Sequence, residues 1–237
     1  MSVRRSARPD VLVRFTRASA FDDPAVAAWA MELLDDEERR TLARFRPAAA
    51  RRDYLAAHAI ARATLAELVD AAPAALRFRR SSTGRPSLVA PAGGPCPGFS
   101  LSHAGGMALC AVSMEHGVGA DIESLDNVGA DPLGLAELLC SRTEREALRA
   151  APAEARPGRL LSLWTRKEAV SKALGLGARF PLSRLPLEEA RTSPCWRIVT
   201  RAVTLRHLAA VAVHGTGAST VAIRFEEAAL PAQRAAR

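Results

Sequence analysis

Two carboxylates and two lysines are the residues of this sequence best suited to chemistry. In VGADIE, residues 118–123, Asp121 and Glu123 stand two apart. If the segment is a strand, alternation of side chains puts both on one face. Held side by side they repel each other unless a cation joins them. An all-oxygen pair suits Mg²⁺, which usually takes one or two carboxylates and completes its shell with water and substrate phosphate. The same spacing also describes the polar outer face of an edge strand, and this segment alone does not choose between the two.

The second cluster is LWTRKEAVSKALGLG, residues 163–177. It holds both lysines of the chain, Lys167 and Lys172, among 33 basic residues that are otherwise arginine. Lys is a compact point charge often used on phosphate, whereas Arg offers a planar fork. On a helix, Glu168 and Lys172 are four apart and share a face, with Lys167 beside it. One reading is a surface ion pair worth a few tenths of a kcal/mol. The other is a metal-facing carboxylate next to two phosphate-binding ammonium groups.

These groups need elements to position them. Strands are expected over residues 11–15, 99–102, 107–113 and 118–122, the middle two forming a hairpin around Gly105-Gly106. Asp35 with Glu38 is a capping-box pattern opening a helix to residue 45, and residues 51–69 form a longer amphipathic helix. A turn falls at residues 82–84, and PAGGPCPG, residues 91–98, is a loop by composition. Helices follow at 133–139, 144–149 and 159–174, the last stopped by Gly175 and Gly177. Strand-like runs close the chain at 196–200, 209–213 and 221–225. The class is α+β, with a seam near residues 115–117 dividing two lobes of similar size.

Composition sets the outer bounds. A chain of 237 residues buries a sizeable core. A mean hydropathy of zero is ordinary for a soluble globular protein. No apolar run approaches the roughly 20 residues that span a bilayer. The basic start MSVRRSARPD lacks the apolar core of a signal peptide, so a cytoplasmic location and no membrane partner are expected. Cys96, Cys110, Cys140 and Cys195 show neither zinc nor disulfide spacing and read as isolated buried thiols. A net charge of +8 favours an anionic partner: nucleic acid, an acidic protein or a phosphorylated small molecule. No nucleic-acid motif is present, aromatics at 5% are sparse for base stacking, and no P-loop occurs.

Four segments in order resemble one family. They are Gly84-Arg85-Pro86, the FSLSH strand ending in Ser102 and His103, VGADIE, and WTRKEAVSK, whose Trp164 follows Asp121 by 43 residues. Together they are similar to the signature of the Sfp-like 4′-phosphopantetheinyl transferases, in the subclass with W-x-x-K-E-A. The resemblance spans Gly84 to Lys172.

It implies a fold of two similar α/β lobes related by a pseudo-twofold, here residues 1–116 and 117–237. The adenine and 3′-phosphate of coenzyme A would lie on the first, and the metal and catalytic motifs on the second. It implies Mg²⁺-dependent transfer of the phosphopantetheine arm of coenzyme A to a serine of an acyl, polyketide or peptidyl carrier protein. Adenosine 3′,5′-bisphosphate would be released.

By the same resemblance, Asp121, Glu123 and Glu168 are metal ligands, and Glu168 is alternatively the base for the serine. Lys172 and Lys167 hold the phosphates. Ser102 and His103 sit at the 3′-phosphate, and Gly84, Arg85 and Pro86 under the adenine, although Pro86 also simply fixes a turn. Glu144 matches a proposed base or metal-water partner, but the capping box it forms with Ser141 explains it as well.

One position departs from the pattern. Asp53, before Tyr54, stands where many relatives carry arginine. Arg51, Arg52 or Arg62 could supply that charge, and Arg52 is the candidate. A monomer is expected, with Arg-rich faces steering acidic carriers. The rival function is a non-catalytic coenzyme A- or carrier-binding protein of the same fold.

Overall fold

The computed structural model describes residues 10–89, 96–185 and 187–231. The amino-terminal segment before residue 10 and most of the expected 91–98 loop lie outside them.

The first half opens with β1 (Val11–Arg17) and continues through α1 (Pro24–Leu33), α2 (Asp36–Arg44) and α3 (Ala48–Val69). A hairpin of β2 (Arg77–Arg80) and β3 (Pro86–Val89) precedes β4 (Gly98–Ala104) and β5 (Met107–Ser113). The second half runs β6 (Gly117–Ser124), α4 (Leu125–Val128), α5 (Pro132–Leu139), α6 (Arg142–Ala150) and α7 (Arg156–Leu174). It ends with α8 (Leu187–Thr192), β7 (Trp196–Ala202), β8 (His207–His214) and β9 (Ile223–Glu227).

Local chemistry accounts for many of these boundaries. Asp35 accepts from the Glu38 amide, and Glu38 accepts from the Asp35 amide, closing the capping box of α2. Ser141 and Glu144 do the same for α6. Gly175 at φ +69° ends α7 in the left-handed conformation that glycine adopts without strain. Helix α1 lies outside the expected elements although its start was signalled: Asp23 caps it and Pro24 occupies its first position.

The mixed α and β architecture repeats a connectivity. In the first half, β1 and β4 flank β5, antiparallel on both sides. In the second, β6 and β7 flank β8, again antiparallel on both sides. Each half thus threads strand, helices, strand, strand, and places its last strand in the middle. Helices α3 and α7 occupy corresponding positions. The strand β9 breaks the separation, because it crosses back and pairs parallel with β1. Residues 223–227 therefore belong to the first sheet.

Apolar faces of both sheets share one core, with Val11, Val13 and Leu109 packed among Val118, Ile122 and Val211. The halves are also tied by hydrogen bonds. Ser100 Oγ donates to the Ala120 carbonyl at 3.3 Å and accepts from the Ala120 amide at 2.9 Å. Gly119 lets α7 lie directly on β6, since a Cβ there would collide with the Ala169 carbonyl and the Ala173 nitrogen. Of the cysteines, Cys110 and Cys140 are buried as expected, but Cys96 and Cys195 are exposed. Among the described residues no helix is long and apolar enough to cross a membrane.

Candidate active site

The close approach of α7 to β6 decides what meets at the centre. Strand β6 presents Asp121 and Glu123 on one face, α7 presents Glu168 and Lys172, and β4 brings Ser102. Lys172 Nζ donates to Asp121 Oδ1 at 2.6 Å and to Ser102 Oγ at 3.0 Å. Ser102 Oγ donates to the same Asp121 oxygen at 2.7 Å. Both donors share one oxygen of a carboxylate that is 2% exposed. The other oxygen, Asp121 Oδ2, is buried without a hydrogen-bond partner.

The neighbouring carboxylates register that crowding. Burial and the charge of Asp121 push Glu123 up to about 7, although Asn127 donates to it at 2.7 Å. Burial and Asp121 also raise Glu168, against the opposing pull of Lys172. Like charges in a desolvated space disfavour the ionised form. Among the described residues no group of three or more His, Cys, Asp or Glu stands gathered as a metal cage. The donor chemistry nonetheless fits a hard cation. An orphaned carboxylate oxygen and two destabilised carboxylates gain most from a divalent ion with oxygen preference.

A cleft of about 350 Å³ opens beside this cluster. Gly84, Arg85 and Pro86 line it from the β2–β3 turn, and Glu168 and Lys172 from α7. Gly84 has φ +86°, so that turn requires glycine. Arg85 is spent inside the protein: its guanidinium donates to the Ala173 carbonyl at 2.9 Å and the Val118 carbonyl at 3.3 Å. It thereby ties the hairpin turn to the second half. His103 is half-buried on β4, and burial holds it below the ordinary histidine range.

Three expected residues lie elsewhere. Lys167 is fully buried, with Nζ bonded to Glu144 Oε2 at 2.6 Å, the Leu182 carbonyl at 2.9 Å and the Leu139 carbonyl at 3.3 Å. Five helical residues place it roughly 140° around α7 from Lys172. Its ammonium is thus turned away from Lys172 and bound within the fold. Glu144, closing the α6 capping box and pairing with Lys167, is accounted for structurally and does not line the cleft. Arg52 donates to both Asp22 oxygens at 2.8 Å.

Arg62, weighed beside Arg52, is fully buried and bound to Asp35 and Glu38. The roles of Ser100 and of Arg80, which lines the cleft, escaped the sequence. Ser100 lies inside the FSLSH motif, but its bonds to Ala120 depend on how the halves approach; Arg80 carries no motif, and only the alternation of β2 places it on the face of Phe78.

Family models match most of the chain. Residues 117–224 match the 4′-phosphopantetheinyl transferase superfamily, and residues 23–115 match the 4′-phosphopantetheinyl transferase amino-terminal family. Over 173 residues the chain is 32% identical to the 4′-phosphopantetheinyl transferase HetI of Nostoc sp., covering 70% of this chain and 73% of that one. A putative 4′-phosphopantetheinyl transferase of Synechocystis sp. is 28% identical over 71% of this chain and 67% of its own length. The mouse L-aminoadipate-semialdehyde dehydrogenase-phosphopantetheinyl transferase is 29% identical over 70% of this chain and 56% of its own.

Proposed function

The chain belongs to the 4′-phosphopantetheinyl transferase superfamily and is an enzyme of that class, and on that premise we propose that it is of the Sfp-like kind. It moves the phosphopantetheine arm of coenzyme A to a serine of an acyl, polyketide or peptidyl carrier protein, and releases adenosine 3′,5′-bisphosphate. The observation that carries this reading is the meeting of Lys172, Ser102 and Asp121, whose second oxygen has no partner, at one end of the cleft.

Asp121, Glu123 and Glu168 are the residues that would hold Mg²⁺, which when bound supplies charge neutralisation to the pyrophosphate. The chain's own groups do the rest. Lys172, about a third exposed on its side chain, directs its ammonium at the phosphate oxygens and favours the charge that builds on the leaving group. Glu168, whose pKa is raised by burial and Asp121, is in the alternative to a metal ligand the base that accepts the serine proton. The serine oxygen forms a bond to the β-phosphorus as the bond from that phosphorus to the bridging oxygen breaks. The electron pair leaves with adenosine 3′,5′-bisphosphate. Ser102 keeps Asp121 oriented.

The repeated strand order supports a division into lobes at residue 116, with β9 returned to the first. A monomer in the cytoplasm, meeting acidic carriers through its +8 charge, completes the proposal. Intact-protein mass spectrometry tests it, with apo carriers of the fatty-acid, polyketide and peptide classes, coenzyme A and Mg²⁺. One phosphopantetheine arm should add to the carrier serine and be lost with chelator or with Asp121→Ala. Undiminished transfer by Asp121→Ala would sink the metal assignment; no transfer to any carrier would sink the function.

A further inference from the structure

Helices α6, α7 and α8 line a further cavity, of about 420 Å³, a size that holds small molecules. It lies away from the cleft. Arg166, part of its lining, stands two residues before Glu168 and so roughly 200° around α7 from it. The apolar part of the lining includes Leu148 of α6, which is buried, and Leu163 of α7, which is half-buried. Around them stand Arg159 and Arg166 from α7 and Arg191 from α8. Residues 159, 163 and 166 recur at helical spacing and share one face.

The positive charge gathered here is not balanced. Arg166 is half-buried, and its Nε donates to the Ser162 carbonyl at 2.8 Å. Among the described residues its two Nη groups have no partner. Burial, then the charge of Arg191, disfavour its charged form, against smaller pulls from Glu144 and Glu188. Arg159 is exposed, and among the described residues no carboxylate pairs with it. Arg191 meets Glu188 at 2.9 Å, but those side chains are 50% and 76% exposed, so the pair is weak. Glu144, the carboxylate in the lining, is committed to Lys167 and to the Ser141 amide. Elsewhere in the fold Arg14 and Arg62 each meet two carboxylates.

We propose that this cavity is an anion site whose ligand is a small-molecule phosphate monoester carrying an apolar group. Each planar guanidinium takes two phosphate oxygens at once. A monoester dianion offers its oxygens to all three arginines and offsets their charge, while its apolar group covers Leu148 and Leu163. A carboxylate has one charge and two oxygens, too few for three guanidiniums. The site faces away from Asp121 and Lys172, so the proposal does not depend on the transferase reading.

Calorimetric titration of the whole protein with phenyl phosphate, near neutral pH, tests this. Arg159 and Arg191 are exposed, so a variant with both changed to Ala should fold. Its affinity should fall on the order of tenfold for each guanidinium removed. Lys172→Ala, which removes the cation of the cleft, should bind as the wild type does. So should Arg44→Ala, an exposed arginine of α2 outside this cavity. Benzoate should bind roughly tenfold more weakly than phenyl phosphate. Unchanged affinity in the double variant overturns the proposal, as does loss of binding in Lys172→Ala, which would move the ligand to the cleft. An equal loss in Arg44→Ala would reduce the effect to net charge and overturn it too. Equal binding of benzoate overturns the monoester class. A leucine-flanked phosphoserine pentapeptide represents the other source of a monoester, a modified protein; tighter binding of that peptide overturns the small-molecule assignment.

Discussion

On one side of α7 the Lys172 ammonium reaches Asp121 and Ser102, with its side chain 32% exposed. On the other, Lys167 is closed off from water against Glu144 and two carbonyls. The residue type is the same, the helix is the same, and the two positions are five apart. What separates them is the unfilled valence around each partner. Lys167 has three oxygens around it and nothing left to offer. Lys172 shares one oxygen of Asp121 with Ser102, while the second oxygen is without a partner. A completed network holds the fold, and an incomplete one can receive a ligand. Removing a member of the first should cost stability, and removing a member of the second should cost function.

The largest effect expected is from Lys167→Ala, which leaves Glu144 and the Leu139 and Leu182 carbonyls facing a void. Breaking a buried pair by deleting one partner costs about 3–5 kcal/mol. For a chain of this size that lowers the melting temperature by roughly 10 °C. Calorimetry should show that loss, while coenzyme A affinity per folded molecule stays close to wild type. A stable variant with weak coenzyme A binding would instead return Lys167 to the cleft. Lys172→Ala is the mirror image. Its kcat should fall on the order of 10²–10³-fold with little change in melting temperature. Lys172→Arg sharpens the comparison further: charge is kept but the wider fork displaces the Asp121 contact, so kcat should fall by roughly tenfold. Near-normal turnover would mean that a point charge is not what the position requires.

How far this contrast could be read beforehand depends on how local its causes are. Both capping boxes, the Gly84 turn, the Gly175 stop and most strands rest on neighbours within a few residues, and the sequence displays them. Asp121, Glu123, Glu168 and Lys172 were legible because alternation and helical spacing already set which of them share a face. The burial of Lys167 was not, because it depends on the Leu139 carbonyl at the end of α5 and the turn at Leu182 closing over that side of α7. Nor was the pairing of β9 with β1, made across more than 200 residues. Arg85 shows a third case: its motif was visible, but its bonds to Val118 and Ala173 depend on how the halves approach. The Asp23-Pro24 start of α1 was local and readable, and was missed among stronger signals.

The smallest effect concerns the incomplete network itself. Glu123 is pushed up to about 7 from an ordinary 4.5 by burial and Asp121. A carboxyl whose folded pKa is raised binds its proton more tightly folded than unfolded. Its contribution to stability is therefore fully present below about 4.5 and declines as pH rises toward 7. Other groups run the opposite way, since Glu38 is held low by His58 and Arg62 against its burial, so a bare pH–stability curve would mix them. The difference between wild type and Glu123→Gln isolates the site. Without divalent metal, the Gln variant should be the more stable at pH 7.5, by on the order of 1 kcal/mol after allowance for solvent screening, and the gap should close near pH 5. Adding Mg²⁺ at pH 7.5 should raise the melting temperature of the wild type more than that of Glu123→Gln. A gap independent of both pH and Mg²⁺ would mean that Glu123 is as settled in its place as Lys167, and that the cleft face of β6 is less open to a ligand than the unpaired Asp121 oxygen implies.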